Sequence, residues 1–353
     1  MRSVIRILVV MSIILIAGIY FNQEREENEV LHNSATSNPP KIDMNVEKEL
    51  EGADKPVPKA EKPTSGSGSY IGKEAVLLRK AMGEPSRKDP SAYGYEWWVY
   101  KNGNQYVQFG VENNKVVTAY AAGDTDVSPF KIEQPVRDIF QTHDLGMEVV
   151  VTNETGTYRF ELSEEDFNMR PIVILGDIYA QLYIDKFSGT LSSVRFLTKD
   201  YLIKQRPYEM VYRGELPADP QIPESLWGQI EEGSEKQILD LTNIIRDKHG
   251  LNQVAWEPAT ASVAKKHSKE MYEKQYFAHE SPSAGDLGDR LKTADVIYQL
   301  AGENIAANYT DGPAAVEGWL NSKDHRSALL EKDFTLLGVG VYRQYYTQNF
   351  IAR

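Results

Sequence analysis

Phe277-Ala278-His279-Glu280-Ser281-Pro282, then Gly302-Glu303-Asn304-Ile305-Ala306, then Trp319-Leu320-Asn321-Ser322-Lys323-Asp324-His325-Arg326 follow one another in the last third of the chain. Each run carries a side chain able to hold a proton, a metal or a carboxylate, and no two lie close enough in sequence to form one local motif. Folding must bring them together, so the elements around them decide what they can do.

Working outward, Ser234-Glu235-Lys236-Gln237 reads as a capping box opening a helix whose face is Ile238, Leu241, Ile245 and Lys248, closed by Gly250. Pro258 suits the first turn of a second helix reaching about Tyr272. A third, from Pro313 to Leu330, carries Val316, Trp319, Leu320 and Leu329. Leu336–Arg343 and Tyr345–Ala352 alternate as paired strands. Helices segregated around a small antiparallel sheet predict an α+β layered domain over residues 232–353.

On that third helix Ser322, His325 and Arg326 lie three and four residues apart and share a face, with Trp319 a turn earlier. His279, Glu303 and His325 come from separate elements. Together they could make a 2-His-1-carboxylate metal site, act as general acid and base, or hold loops by hydrogen bonding. Glu303 has a rival role at a helix start, facing the positive end of the dipole. Arg326 is expected to pair with a carboxylate or carbonyl, and His267 to pack.

These runs, FxHxSP, GENIA, AVxxWxxSxxHR and Gly338-Val339-Gly340-Val341-Tyr342 followed by Tyr345-Tyr346-Thr347-Gln348, resemble the bacterial branch of the CAP superfamily, the cysteine-rich secretory, antigen 5 and pathogenesis-related proteins. The resemblance implies an αβα sandwich with a central cleft and a tetrad of two His and two Glu that binds zinc or magnesium in several members. His279 and Glu303 carry over by motif. Where relatives have WxxE this chain has Trp319-Leu320-Asn321-Ser322, and where they have HYTQ it has Tyr345-Tyr346-Thr347-Gln348, so His325 takes the second imidazole's place. The cleft set implied is His279, Glu303, His325, Asn304, Ser322, Arg326, Tyr345 and Gln348, with the first three as metal ligands.

Upstream, Gly83-Glu84-Pro85-Ser86-Arg87 and Tyr93-Gly94-Tyr95-Glu96-Trp97-Trp98-Val99-Tyr100 resemble the CAP-associated domain that precedes the CAP domain in YlbC-type bacterial proteins. Residues 72–82 have helical apolar spacing, and Tyr95–Tyr100, Tyr106–Glu112 and Lys115–Ala121 read as a meander turned at Asn102-Gly103 and Asn113-Asn114. A second helix at Ile132–Phe140, started late by Pro135, precedes strands at Met147–Thr152, Thr157–Leu162, Ile178–Asp185 and Thr190–Leu197. The expectation is a duplicated helix-plus-meander unit over residues 70–215, its two sheets packed together, with Trp97 and Trp98 either in its core or lining a groove.

Arg2 and Arg6 before an apolar run to Phe21 predict a membrane anchor or signal segment over 1–22 with the body outside the cytoplasm, secreted if cleaved. Residues 23–69, rich in Pro, Glu and Lys and ending in Ser65-Gly66-Ser67-Gly68-Ser69, read as a disordered linker. A net charge of −12 argues against a phosphate backbone as partner, and the absence of cysteine removes disulfides and thiolate chemistry. No HExxH, Walker loop or nucleophile elbow is present. The functional expectation is an extracytoplasmic ligand- or metal-binding scaffold whose partner is a cell-envelope component or small extracellular ligand. A metal-dependent, peptidase-like hydrolase and a carrier of small apolar ligands or lipids are the alternatives.

Overall fold

The computed structural model describes residues 31–32 and 60–353. The apolar segment over 1–22 and most of the expected linker lie outside the described residues. Among the described residues no helix is long and apolar enough to cross a membrane. A two-residue strand, β1 (Leu31–His32), comes first.

The first domain runs through α1 (Ala75–Met82), β2 (Arg87–Pro90), β3 (Glu96–Asn102), β4 (Gln105–Glu112), β5 (Lys115–Gly123), α2 (Val136–Thr142), β6 (Glu148–Thr152), β7 (Gly156–Glu161), α3 (Glu164–Met169), β8 (Ile172–Leu175), β9 (Ile178–Asp185), β10 (Thr190–Thr198), α4 (Lys199–Gln205) and β11 (Glu209–Gly214). The two meanders, β3-β4-β5 and β8-β9-β10, do not stack as two sheets. They join edge to edge through β5 and β10, giving one seven-stranded antiparallel sheet in the order β2-β3-β4-β5-β10-β9-β8. β6 and β7, read as strands of the second meander, pair instead with β11. Both faces of the large sheet are covered, so alternation sends Trp98 and Phe109 toward α1 and Trp97 and Tyr106 toward the second domain. Trp97 and Trp98 are buried, which removes the groove reading.

The linker expected through residue 69 ends earlier. Ala60 bridges to Leu175, Ser67 N donates to Asp126 O at 2.9 Å, and the Phe196 ring lies over Gly68, where a Cβ would sit 2.7 Å from it. Glycine serves here for close approach rather than for flexibility.

The second domain comprises α5 (Glu224–Lys248), β12 (Ala255–Trp256), α6 (Pro258–Lys274), α7 (Leu287–Thr293), β13 (Leu300–Ala307), α8 (Gly312–Asn321), α9 (Lys323–Leu329), β14 (Leu336–Tyr342) and β15 (Tyr345–Ala352). The sheet order is β1-β13-β15-β14-β12. α6 covers one face, where Ser268 Oγ donates to Gly340 O at 2.8 Å. α5 and α8 cover the other, where Gln348 Nε2 donates to Thr242 Oγ1 at 2.7 Å. This is an αβα sandwich. Gly338 and Gly340 let α6 lie directly on β14, because a Cβ on either would fall 2.1 Å from Ala261 N or 1.9 Å from Lys265 N.

Two helix boundaries differ from expectation. α5 begins after Pro223 and not at Ser234, since Pro223 starts it a full ten residues earlier and Gln237 faces the first domain, donating to Asp89 Oδ2 at 3.0 Å. The helix expected from Pro313 to Leu330 breaks at Ser322, whose extended backbone (φ −102, ψ 131) separates α8 from α9.

The two domains share one apolar core, in which Trp97 and Tyr120 meet Ile238 and Leu241. Polar contacts fix their register. Arg195 forks onto Asp311 at 2.8 and 2.6 Å, Arg326 onto Asp185 at 3.0 and 3.0 Å, and Asn321 spans Ile184 O and Lys186 N, each at 2.8 Å.

Gly340→Ala is expected to lose stability at the upper end of about 1–3 kcal/mol, whereas Gly228→Ala, at an open helical position, gains about 0.5–1 kcal/mol. Urea unfolding midpoints at unchanged slope check both. Arg195→Met strands the Asp311 carboxylate and is expected to cost about 3–5 kcal/mol by the same measurement.

Candidate functional site

His279 sits on the loop that follows α6, and two side chains of that helix shape the loop, the half-buried Glu270 and the buried His267. Glu270 accepts from Ser281 Oγ at 2.5 Å, from Tyr276 OH at 2.9 Å and from Ser283 Oγ, which folds the Ser281-Pro282 turn back onto the helix. Burial opposes the Glu270 charge, but these hydrogen bonds and Lys274 outweigh it and bring its pKa down to about 2. His267, one turn before Glu270, donates from Nε2 to Ala278 O at 3.0 Å. Burial lowers its pKa to about 4, against a smaller opposing pull from Glu303, so the ring is neutral near pH 7.

Glu303 lies in the middle of β13, which removes the helix-start role. Its carboxylate accepts from His279 Nδ1 at 2.9 Å, from Arg290 Nη1 and Nη2 at 2.8 and 2.9 Å, and from the Asn349 amide nitrogen at 2.9 Å in the orientation that satisfies that amide. Four donors fill the roughly four lone-pair positions that a carboxylate offers. Arg290 also donates to His279 O at 2.9 Å, so one guanidinium clamps both residues of the pair. Burial would raise the Glu303 pKa, and the hydrogen bonds from His279 and Arg290 overcome that and lower it. An ionised Glu303 requires hydrogen on His279 Nδ1, which leaves the Nε2 edge of the ring free of that contact.

His325 reaches the same place from α9, in the opposite layer. Its ring stacks on His279 with centroids 6.2 Å apart and planes 27° apart, and its Nδ1 lies 2.6 Å from Ser322 Oγ. His279 is 26% exposed, so it alone of the two imidazoles presents a usable surface, His325 being buried. Ser322 is buried as well and ends α8.

The remaining expected cleft residues do other things. Asn304 and Gln348 point to the opposite face of the sheet from Glu303 and bond one another at 3.2 Å, Asn304 also donating to His325 O at 3.0 Å. They anchor α5 and α9 to the sheet. Arg326 turns away to Asp185 of the first domain. Tyr345 stands at the hairpin end with Phe277 (6.2 Å), and Tyr272 lies between Tyr342 (5.2 Å) and Tyr345 (6.0 Å), an aromatic ledge beside the His279 loop.

The metal expectation does not fit this geometry. A zinc or magnesium ion on His279, Glu303 and His325 would need a Glu303 lone pair, and all are engaged, two of them by a guanidinium whose positive charge repels a cation. Among the described residues no cluster of three or more His, Asp or Glu is arranged to hold a metal ion. Arg290, Glu270 and the loop-holding role of His267 escaped the sequence reading. Asp286, whose side chain caps α7 by accepting from Asp289 N at 2.9 Å, was the available sign of the helix that delivers Arg290.

Stability should fall in two steps on acidification. Between pH 6.5 and 4 the unfolded chain protonates His267 while the folded one does not, which removes about 3 kcal/mol. Below 4.5 the contribution of the depressed Glu303 is lost in turn. Urea midpoints across pH 7 to 3.5 should show the first step reduced in His267→Gln and the second in Glu303→Gln.

The chain matches the model of the CAP-associated N-terminal domain over residues 71–208 and that of the cysteine-rich secretory protein family over residues 239–352. It is 55% identical over 293 residues to the membrane protein YlbC of Bacillus subtilis (strain 168), which covers 82% of this chain and 85% of that protein. Among solved structures, an extracellular protein containing an SCP domain from Bacillus anthracis superposes with a TM-score of 0.79 at 46% identity, over 85% of this chain and 99% of that one. A cysteine-rich secretory protein from Staphylococcus aureus gives 0.76 at 27% identity, over 92% and 98%. With the two domain matches in this order and a relative this similar over most of its length, the chain belongs to the CAP (cysteine-rich secretory protein) family, in the branch that carries a CAP-associated N-terminal domain.

Proposed function

We propose that this protein is a binding module of the cell envelope that holds a glycan-bearing component against the face formed by His279 and the neighbouring aromatic ledge. The apolar, Arg-flanked N-terminal run supports attachment at the membrane with both domains outside the cytoplasm. The observation that carries the reading is the saturated Glu303: one of its four donors is His279 Nδ1, which fixes the ring's orientation and leaves the Nε2 edge of a part-exposed imidazole for a ligand hydroxyl or amide. Tyr345, Phe277 and Tyr272 supply flat apolar surface of the kind on which sugar rings rest. The same saturation argues against the metal-dependent hydrolase, and the burial of Ser322 and His325 argues against a serine nucleophile there.

Co-sedimentation of the full-length protein with purified cell-wall sacculi tests this. Retention should drop at least fivefold in both His279→Ala and Tyr345→Ala, with zinc or EDTA making no difference. Retention unchanged in both variants overturns the reading, and zinc-dependent retention restores the metal alternative.

A further inference from the structure

A surface helix ordinarily buries an apolar stripe and turns a polar one to water. α1 does not. Ala75 and Leu78 form its buried stripe and pack with Trp98 and Phe109, on the face of the large sheet that looks away from the second domain. Its outward stripe is Val76, Leu77, Lys80 and Ala81, three to five residues apart and all exposed, with Lys73 just ahead of the helix. Val76 is 53% and Leu77 48% exposed, and Met82 at the helix end is 40% exposed. Of the ten large apolar side chains that are exposed among the described residues, this short helix holds three, and no other element holds more than one.

The charge around that stripe is opposite in sign to that of the chain, whose net is −12. Lys73, Lys80 and Lys115 are exposed and make no ion pair among the described residues. Lys115 is held beside the start of the helix by the backbone bridge between it and Glu74. The carboxylates at the two ends of the helix are already occupied. Glu74 accepts from Asn114 Nδ2 at 2.8 Å, and Glu84 lies 3.7 Å from Arg79 Nη1. Exposed aliphatic side chains framed by unanswered ammonium groups complement a bilayer with anionic headgroups, where the methyls enter the acyl boundary while the cations stay among the phosphates.

We propose that α1 is a lipid-contact site through which the first domain rests on an anionic membrane surface. Val76 and Leu77 insert at headgroup level, and Lys73, Lys80 and Lys115 meet the phosphates. The proposal rests on the reading that attaches the chain at the membrane with both domains outside the cytoplasm. It adds that the body touches that membrane instead of standing off from it. Three lysines and two aliphatic side chains attract a bilayer only weakly by themselves, and attachment through the N-terminal run makes the contact persistent by keeping lipid at high local concentration. α1 and the second domain lie on opposite faces of the large sheet, so this contact and the His279 face are separate surfaces.

The chain has no cysteine, so one introduced thiol takes a label uniquely. Full-length protein labelled with nitrobenzoxadiazole at Leu77→Cys is mixed with vesicles of phosphatidylcholine, about a third phosphatidylglycerol, and a lipid carrying a nitroxide near its headgroup. Ile297→Cys, on the second domain and 80% exposed, carries the control label. Fluorescence at 77 is expected to drop about twofold and at 297 hardly at all. The drop should vanish on vesicles of phosphatidylcholine alone and in Lys73→Gln/Lys80→Gln, two exposed changes that leave the fold intact. Flotation of the same samples reports membrane attachment separately. Protein that floats without quenching at 77 overturns the contact and leaves attachment standing. Quenching no greater at 77 than at 297, or indifferent to lipid charge and to both lysines, overturns it too. Protein that neither floats nor is quenched overturns the contact together with the attachment it rests on.

Discussion

Asp311 does two jobs with one carboxylate. It caps α8, accepting from Ala314 N at 3.1 Å, and it receives the fork of Arg195 from the other domain. A buried guanidinium is expensive to desolvate, and removing either partner leaves the other exposed to that cost. The pair is therefore less a source of net stability than a specification. The start of α8 has one allowed position against the first domain, and Glu317, Trp319, Ser322, His325 and Arg326 all follow from that start. Trp319 completes the placement by donating from Nε1 to Ile305 O at 2.9 Å, tying α8 to the strand that carries Glu303.

This wiring changes how the first domain should be regarded. It is no appendage on a self-sufficient CAP unit, because Trp97, Tyr120 and Tyr183 share a core with Ile238, Leu241 and Trp319. The Arg326-Asp185 pair sits one residue after His325, so the first domain holds the helix whose ring backs His279. Without a single cysteine in the chain, burial and these charged locks supply the rigidity that disulfides give many small secreted domains.

Much of this was legible in the sequence. Strands 178–185 and 345–352 fall where alternation of apolar residues puts them, and His279, Glu303 and His325 stood out through the FxHxSP, GENIA and SxxHR runs that resemble the CAP superfamily. What was not legible depended on partners distant in the chain. The capping-box pattern at Ser234 is locally convincing, yet Pro223 had already begun the helix, and Gln237 answers Asp89 instead of the backbone. β13 hides because Leu300-Ala301-Gly302-Glu303 has no clean period, Gly302 being small to admit the Phe334 ring. Arg290 looks like any surface arginine until Glu303 is placed beside it. The serine-glycine tract at 65–69 has the composition of a spacer, and only the Phe196 ring, more than a hundred residues away, shows it to be packed.

The glycines of β14 have a reach that their size conceals. By letting α6 settle onto bare backbone, Gly338 and Gly340 set the height of that helix, hence the depth of His267, hence the tether from its ring to Ala278 and the aim of the next residue. Two missing methyl groups thus act as a depth stop for an imidazole that neither touches, and lifting the helix by the width of one carbon would unseat the loop before it disturbed the sheet.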